Sequence, residues 1–371
     1  MSVRHLFAGN NTPGGFFSYY DSLRPLDARR IFLIKGGPGT GKSTFMRGIG
    51  EAFVGRGLAV EFCHCSSDPD SLDGVVIRQA GVAVLDGTAP HVLDPRFPGA
   101  VEEIVNLGAF WDAGMLSASR AEIVRLTQEI GDVFTRAYRY LAAAGQMREE
   151  LAALYSSAMD FFSARETLAK ALDWLLEPGT AGAPLSGTAP GGRREGRVRR
   201  LFATAVTPKG PVSFLDNLFA PARRRIILQG APGTGKSTLV ERLLDRLLEK
   251  GYDCDVFYDA LRPTRPEHLW IAELEAAVIT STAVHPYREQ PGDLVLNFDA
   301  GLDRAPLAAR SAELETTHRF FQQLFSQALA TLARAKTLHD RLEQYYVASM
   351  NFSAVGRLRD EIIARATAFV S

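Results

Sequence analysis

Long apolar runs are missing from this sequence of 371 residues. None approaches the ~18 residues of a membrane span, and residues 1–10 lack the apolar core of a secretory signal, so a soluble, non-exported protein is expected. Net charge is missing too: 42 Lys+Arg balance 42 Asp+Glu. No overall field draws the chain to nucleic acid or an anionic membrane, and either contact would need a local patch. Cysteine is scarce. Cys63, Cys65 and Cys254 cannot make a disulfide framework, which fits a reducing, cytoplasmic setting. With 46% apolar and 23% charged residues, pervasive disorder is excluded, and the length suits two domains.

What is present is a repeat. Gly36-Gly37-Pro38-Gly39-Thr40-Gly41-Lys42-Ser43-Thr44 returns as Gly230-Ala231-Pro232-Gly233-Thr234-Gly235-Lys236-Ser237-Thr238, identical at eight of nine positions and displaced by 194 residues. The same displacement aligns Ala28-Arg29-Arg30 with Ala222-Arg223-Arg224, Ala83-Val84-Leu85 with Ala277-Val278-Ile279, and His91 with His285. Near the ends, Met159-Asp160-Phe161 meets Met350-Asn351-Phe352 at a displacement of 191. Between the copies, residues 178–192 are Pro, Gly, Ala, Thr and Ser with a single Leu, a composition too poor in apolar surface to stay ordered. The expected organisation is a first domain at 1–177, a linker at 178–192 and a second domain at 193–371. Arg193, Arg194, Arg197, Arg199 and Arg200 follow the linker, either as a solvated edge or as an anion contact.

Residues 31–35 and 226–229 are short apolar runs ending at glycine, as buried parallel strands do. Residues 43–54 and 237–250 have helical spacing, stopped by Gly55-Arg56-Gly57 and by Gly251. Further strands are expected at 58–65, 82–85, 254–258 and 277–279. Residues 117–177 and 307–371 contain no proline and read as helical arms. The first arm opens with Ser119 and Glu122 as a capping box and carries Gly145 as the turn of a helical hairpin. This order predicts an α/β fold of two tandem domains with doubly wound, mainly parallel sheets, each with a C-terminal helical extension. Such an arm could be a lid, a lever, an interface or a plain cover for the sheet.

Gly-x-x-x-x-Gly-Lys-Ser between a strand and a helix is a phosphate-binding pattern. Its glycines let successive amides converge on phosphate oxygens, and the helix adds its positive end. Lys42 and Lys236 can then reach the β/γ-phosphates as catalytic cations, while the Ser43 and Ser237 hydroxyls can ligate Mg²⁺. Both copies resemble the P-loop NTPase superfamily. The overall plan, including Asp86-Gly87-Thr88-Ala89-Pro90-His91 after a strand, resembles a bacterial family of tandem P-loop ATPases over nearly the whole chain. The resemblance implies ATP as the nucleotide and supplies no substrate. The residue five before Lys42 is Gly37, so the lysine of partition-type loops is absent.

Asp86, at the end of an apolar strand, is the first choice for a carboxylate in the Mg²⁺ shell, with a strand-end Asp-Gly turn as the plain alternative. The second copy has Thr280 there, and Asp259, aligned with Cys65, is its substitute. Asp68, Asp70 and Asp73 could bind a second metal or take a proton from an acceptor, or could open a helix with Asp70 or Ser71 as its N-cap. Arg262 and Arg265 stand in the matching stretch of the second copy as candidate arginine fingers. Cys63 and Cys65 should share one strand face opposite His64, which defeats a Cys-His-Cys metal site. His91 and His285 are phosphate sensors or structural histidines, and Thr12-Pro13-Gly14-Gly15 is a turn. The leading expectation is a Mg²⁺-dependent ATPase that couples nucleotide state to its arms or to a protein partner. A kinase for a small-molecule acceptor and an ATP-gated interaction module are the alternatives, with no membrane or nucleic-acid role.

Overall fold

Gly55, Gly57 and Gly251 close the helices that precede them. The computed structural model describes residues 3–25, 27–161, 164–176 and 195–370. The expected linker at 178–192, with Arg193 and Arg194, lies outside the described residues. The first copy runs through β1 (Val3–Phe7), β2 (Gly9–Thr12), β3 (Gly15–Ser18), β4 (Arg30–Lys35), α1 (Lys42–Val54), β5 (Val60–Cys65), β6 (Asp68–Ile77), β7 (Val82–Asp86) and β8 (Glu102–Asn106). It continues with α2 (Ala113–Ala118), the long α3 (Arg120–Ser156) and α4 (Ala164–Leu176). The second copy repeats the plan as β9 (Val198–Leu201), β10 (Thr204–Thr207), β11 (Gly210–Ser213), α5 (Leu215–Phe219), β12 (Arg224–Gln229), α6 (Lys236–Glu249), β13 (Cys254–Asp259), β14 (Arg262–Ile271), β15 (Ala276–Thr280) and β16 (Leu294–Asn297). It closes with α7 (Arg304–Ala309), the long α8 (Ser311–Ser349) and α9 (Phe352–Thr367). No described helix is long and apolar enough to cross a membrane.

Each copy builds a six-stranded sheet, in the order β1-β5-β6-β7-β4-β8 and, in the second, β9-β13-β14-β15-β12-β16. β4 is parallel to β7 and β8, and β1 to β5, whereas β6 runs antiparallel to both its neighbours. Ile31, Phe32, Leu33 and Ile34 are all buried, so β4 is a central strand covered on both faces. α1 lays Phe45, Met46, Ile49 and Phe53, one helical stripe, into the same core. It ends as its glycines require: Gly57 takes φ 83° and Leu58 N donates to Phe53 O at 3.1 Å. The Thr12 to Gly15 segment is the turn of the β2-β3 hairpin, with Thr12 Oγ1 donating to Gly15 O at 2.7 Å.

The sheets are therefore mixed: five strands of each run one way, as in the expected mainly parallel sheet, and one, β6 or β14, runs against them, which a doubly wound order does not have. The difference lies in residues 68–77. That acidic stretch is the ten-residue strand β6 and not a helix opened by Asp70 or Ser71. Its second half ends in the buried run Val75-Val76-Ile77, which suits a sheet, and Ser66-Ser67 suffices to turn it back on β5. No α-helix intervenes between β5 and β7; a short 3-10 turn, Arg78–Ala80, joins β6 to β7. A second correction concerns Gly145, which lies inside the unbroken α3 and makes no turn. A glycine inside a helix costs ~1 kcal/mol relative to alanine, which burial of Leu141, Leu151 and Leu154 on the same helix outweighs. The capping box does not form either: Glu122 pairs with Arg125.

The compact units cut across the copies. One gathers Met1–Tyr138, Ala205–Val212 and Ala328–Ser371; the other gathers Arg139–Thr204 and Ser213–Gln327. Each unit thus holds one copy's sheet and glycine-rich loop together with the closing part of the other copy's arm. In the first unit α9 packs on α1, Asn351 N donates to Phe110 O (2.9 Å) and Asp112 N to Ser349 O (2.8 Å). In the second, α4 packs on α6, Asp160 N donates to Gly301 O (2.9 Å) and Asp303 N to Ala158 O (2.8 Å). The displacement of 191 residues maps each of these bonds onto its counterpart.

Candidate functional site

The first glycine-rich loop leaves β4 and enters α1. The sheet register sets Ile34 beside Asp86 and Gly74 beside Leu85, so Asp86 from β7 and Asp73 from β6 arrive next to the loop. Gly39 and Gly41 take φ 68° and 84°, a region that favours glycine. Lys42 folds onto the loop, its Nζ donating to Gly36 O (3.1 Å) and Gly37 O (2.8 Å) and lying 3.7 Å from Asp86 Oδ2. Asp86 Oδ1 accepts from Thr88 N at 2.8 Å. Burial pushes the Asp86 carboxyl upward, although the Lys42 charge pulls the other way. Ser43 Oγ accepts from Leu72 N at 3.0 Å. The expected Lys42, Ser43 and Asp86 thus line one cavity of about 860 Å³.

The three acids of β6 have different surroundings. Asp68 lies 3.4 Å from Lys336 and Asp70 pairs with Lys209. Asp73 is buried and faces His91, whose Nε2 is 3.5 Å from Asp73 Oδ2 and whose ring stacks on Tyr20. Burial pushes the Asp73 carboxyl up, but His91, with Tyr20 and Cys65 behind it, holds it below the usual range. The expected shared face of Cys63 and Cys65 is broken by two bulges, at 63/64 and 64/65. Cys63 is fully buried, while Cys65 lines the cavity, its thiol pushed up by burial and by Asp73. His64 bonds to His5 Nδ1 (2.9 Å) and Pro69 O (2.7 Å), and burial lowers it to about 4.

The other copy's arm lies directly on this loop. A Cβ on Gly39 would fall 2.7 Å from Glu343 O, one on Gly37 would fall 2.7 Å from the Tyr346 ring, and one on Gly41 would meet Phe352 at 3.2 Å. Sequence reasoning found the arms but not this seat. The matching 191-residue displacement is the signal that ties the two arms together, yet nothing in it says which loop each arm covers.

The second loop repeats the backbone and changes the surroundings. Gly233 and Gly235 take φ 82° and 99°, and Lys236 Nζ donates to Gly230 O and Ala231 O at 2.6 Å each. A Cβ on Gly233 would collide with Ala152 O, and Gly235 faces Phe161, the counterparts of Glu343 and Phe352. Burial lowers Lys236 to about 8. Asp259 is paired with Arg148 at 2.6 Å and Arg262 at 3.3 Å, so the expected substitute carboxylate is already engaged by two guanidiniums. Burial favours its protonation, yet the two arginines hold its carboxyl below the usual range. Thr280 Oγ1 donates within the sheet to Glu267 O at 2.8 Å. Arg265 pairs with Glu241 (2.7 Å), and burial lowers His285. Of the basic run, Arg199 lies 3.8 Å from Asp255 of its own sheet. A cavity of about 650 Å³ in this unit is lined by Thr234, Gly235, Thr238, Arg242 and Asn297. Arg148, from α3, is a functional candidate that sequence reasoning missed.

Comparison of the chain with protein-family models, with curated proteins and with solved structures finds no match.

Proposed function

We propose that the chain is a P-loop NTPase with two tandem sites, a Mg²⁺-dependent ATPase that acts in the cytoplasm and couples nucleotide state to its helical arms. The observation that carries this reading is the seating of an arm helix on each phosphate loop, in contact with Gly39 on one side and Gly233 on the other. A ligand that reshapes either loop must be felt by the helix touching it, because packed contacts do not deform continuously.

The donors in the first cavity suit the expected ligands. Ser43 and Asp86 offer the hard oxygen atoms that Mg²⁺ prefers, and the Asp86 carboxylate is buried beside a cation. Bound there, Mg²⁺ would supply charge neutralisation to a triphosphate. Lys42 would exchange the Gly36 and Gly37 carbonyls for phosphate oxygens, and loop amides at the start of α1 would complete the cradle. In the second site Lys236 would play the same binding part without a carboxylate at the end of β15, and with the Asp259 carboxylate held by two arginines, which supports slower turnover there.

The test is nucleotide stoichiometry together with ADP release by the purified chain in Mg·ATP. Two bound nucleotides and ADP release that stops when Mg²⁺ is chelated are expected; ADP release at the buffer background would end the ATPase reading. One observation favours a second reading, phosphoryl transfer to a small acceptor: the first cavity extends past the loop to Phe16, Phe134 and Tyr138, beside Asp73. It predicts that one compound of an acceptor panel accelerates ADP formation and gains phosphate.

A further inference from the structure

We propose that Cys65, Asp73 and His91 form a three-ligand site for a transition-metal dication of the zinc class, with its open position toward the first cavity. The three residues come from the end of β5, from β6 and from the segment after β7, and one ligand atom from each lies within 4.8 Å of the other two. Asp73 is 4% and His91 7% exposed. Asp73 Oδ2 makes no hydrogen bond among the described residues, and its neighbour in the cluster, His91 Nε2, stands 3.5 Å away. Buried polar atoms in folded proteins are ordinarily paired, so a buried carboxylate oxygen left without a hydrogen bond inside the cluster points to a missing partner. A cation is the partner that an acceptor oxygen, an imidazole nitrogen and a thiolate share.

The donor set selects the ion. Zinc takes sulfur, nitrogen and oxygen together in tetrahedral sites, whereas magnesium demands oxygen, so this site differs from the Ser43 and Asp86 pair in chemistry as well as in residues. The His91 ring is held from outside the cluster by stacking on Tyr20, with centroids 4.3 Å apart, and by the edge contact of Phe16 at 4.8 Å. Ligand rings in metal sites are oriented by such supporting contacts. On binding, the Cys65 thiol would give its proton to solvent and the sulfur would ligate as thiolate. Three protein ligands leave one tetrahedral position, and all three residues line the cavity that holds Lys42 and Asp86. That position would take water or an oxygen of an anionic ligand.

The second copy serves as an internal control. Asp259, Glu267 and His285 occupy the same positions, without a thiol, and the Arg148 guanidinium lies 2.6 Å from Asp259. An arginine there sets beside the counterpart of Cys65 the positive charge that the metal would supply in the first copy.

The experiment uses the full-length chain, stripped with a chelator. Zinc affinity is measured by competition with a chromophoric chelator, and cobalt(II) is added separately to read thiolate-to-metal charge transfer. Expected is one tight equivalent of zinc and a charge-transfer band that survives in Cys63→Ser and His339→Ala. The band should vanish in Cys65→Ser, and zinc affinity should fall ~100-fold or more in His91→Ala and Asp73→Asn, with near-ultraviolet circular dichroism unchanged. Two results would overturn the site: no stoichiometric zinc in the wild type, or zinc binding insensitive to Cys65→Ser and lost in His339→Ala. The second would move the ion to the His339, Asp340 and Glu343 group on α8. Because the readout is metal binding, its failure leaves the ATPase reading standing.

Discussion

The first glycine-rich loop opens on a cavity that contains Lys42, Ser43 and Asp86, while the second, with eight of nine residues identical, sits beside an Asp259 carboxylate clasped by Arg148 and Arg262. The loops themselves hardly differ: glycines of positive φ, a lysine folded on two carbonyls, an arm helix against the glycine that follows the proline. The difference lies in what the neighbouring strands bring. At the end of β5 and of β13 stand Cys65 and Asp259, and at the end of β7 and of β15 stand Asp86 and Thr280. On the proposed reading each loop is a cradle for an anion, and its neighbours decide whether a carboxylate that no guanidinium engages stands beside it.

If that division is right, turnover belongs to the first loop. Lys42→Ala should lower ADP release by ~100-fold or more, the scale on which a positioned charge contributes to catalysis, while Lys236→Ala should leave most of it. Equal losses in the two variants, measured under saturating Mg·ATP, would break the comparison and make the sites a coupled pair. The next effect is on stability. Arg148→Ala strands a buried Asp259 charge beside Arg262 alone and should cost about 3 kcal/mol in urea unfolding. The double change with Asp259→Ala should recover much of that cost, because no uncompensated charge is left. A double variant no more stable than the single one would mean that Arg148 acts through packing alone.

Much of the loop and its strands was legible because it is local chemistry: glycine at fixed intervals, an apolar run before, a helical stripe after. β4, α1, β7 and their counterparts lie within a residue or two of their predicted bounds. Residues 68–77 were misread because four polar residues at the head of a strand look like a helix start, and only pairing with both β5 and β7 settles them as β6. The Cys65, Asp73 and His91 cluster was invisible for the same reason, since its members are far apart in sequence and meet only through sheet order. Gly145 was overread. Its penalty as a helix residue is real but smaller than the burial of the leucines around it. The arm over each loop depends on which copy's helices close which unit, and helical periodicity carries no address.

The arm contact can be separated from glycine strain by a pair of substitutions. Gly39→Ala meets both a φ of 68° and Glu343 O at 2.7 Å, whereas Gly15→Ala meets a φ of 103° and open space. Strain of an L residue at such angles costs about 1–2 kcal/mol, and the collision should bring the Gly39 change to roughly 3 kcal/mol. Equal costs at the two positions in chemical denaturation would mean that α8 yields freely and carries no signal from the loop.

The smallest effect is a pH dependence that marks the first unit. His64 is lowered to about 4 by burial, from an ordinary 6.5 in the unfolded chain. Below 6.5 the unfolded chain takes up the proton and the folded one does not, so the stabilising contribution is full above that pH and is lost as pH falls toward 4. Between pH 7 and pH 5 the loss should be roughly 2 kcal/mol. His64→Gln keeps a side chain that can bond to Pro69 O and removes the titration, so its unfolding curve should be flatter over the same range. Trp111, which lies in the first unit, reports the transition by fluorescence, while Trp174 and Trp270 lie in the second. The second copy carries Tyr258 at the position of His64, so only the Trp111 transition should lose its acid slope in the variant. If the slope persists there, another group sets it, and the two units differ less in their acid response than their sequences suggest.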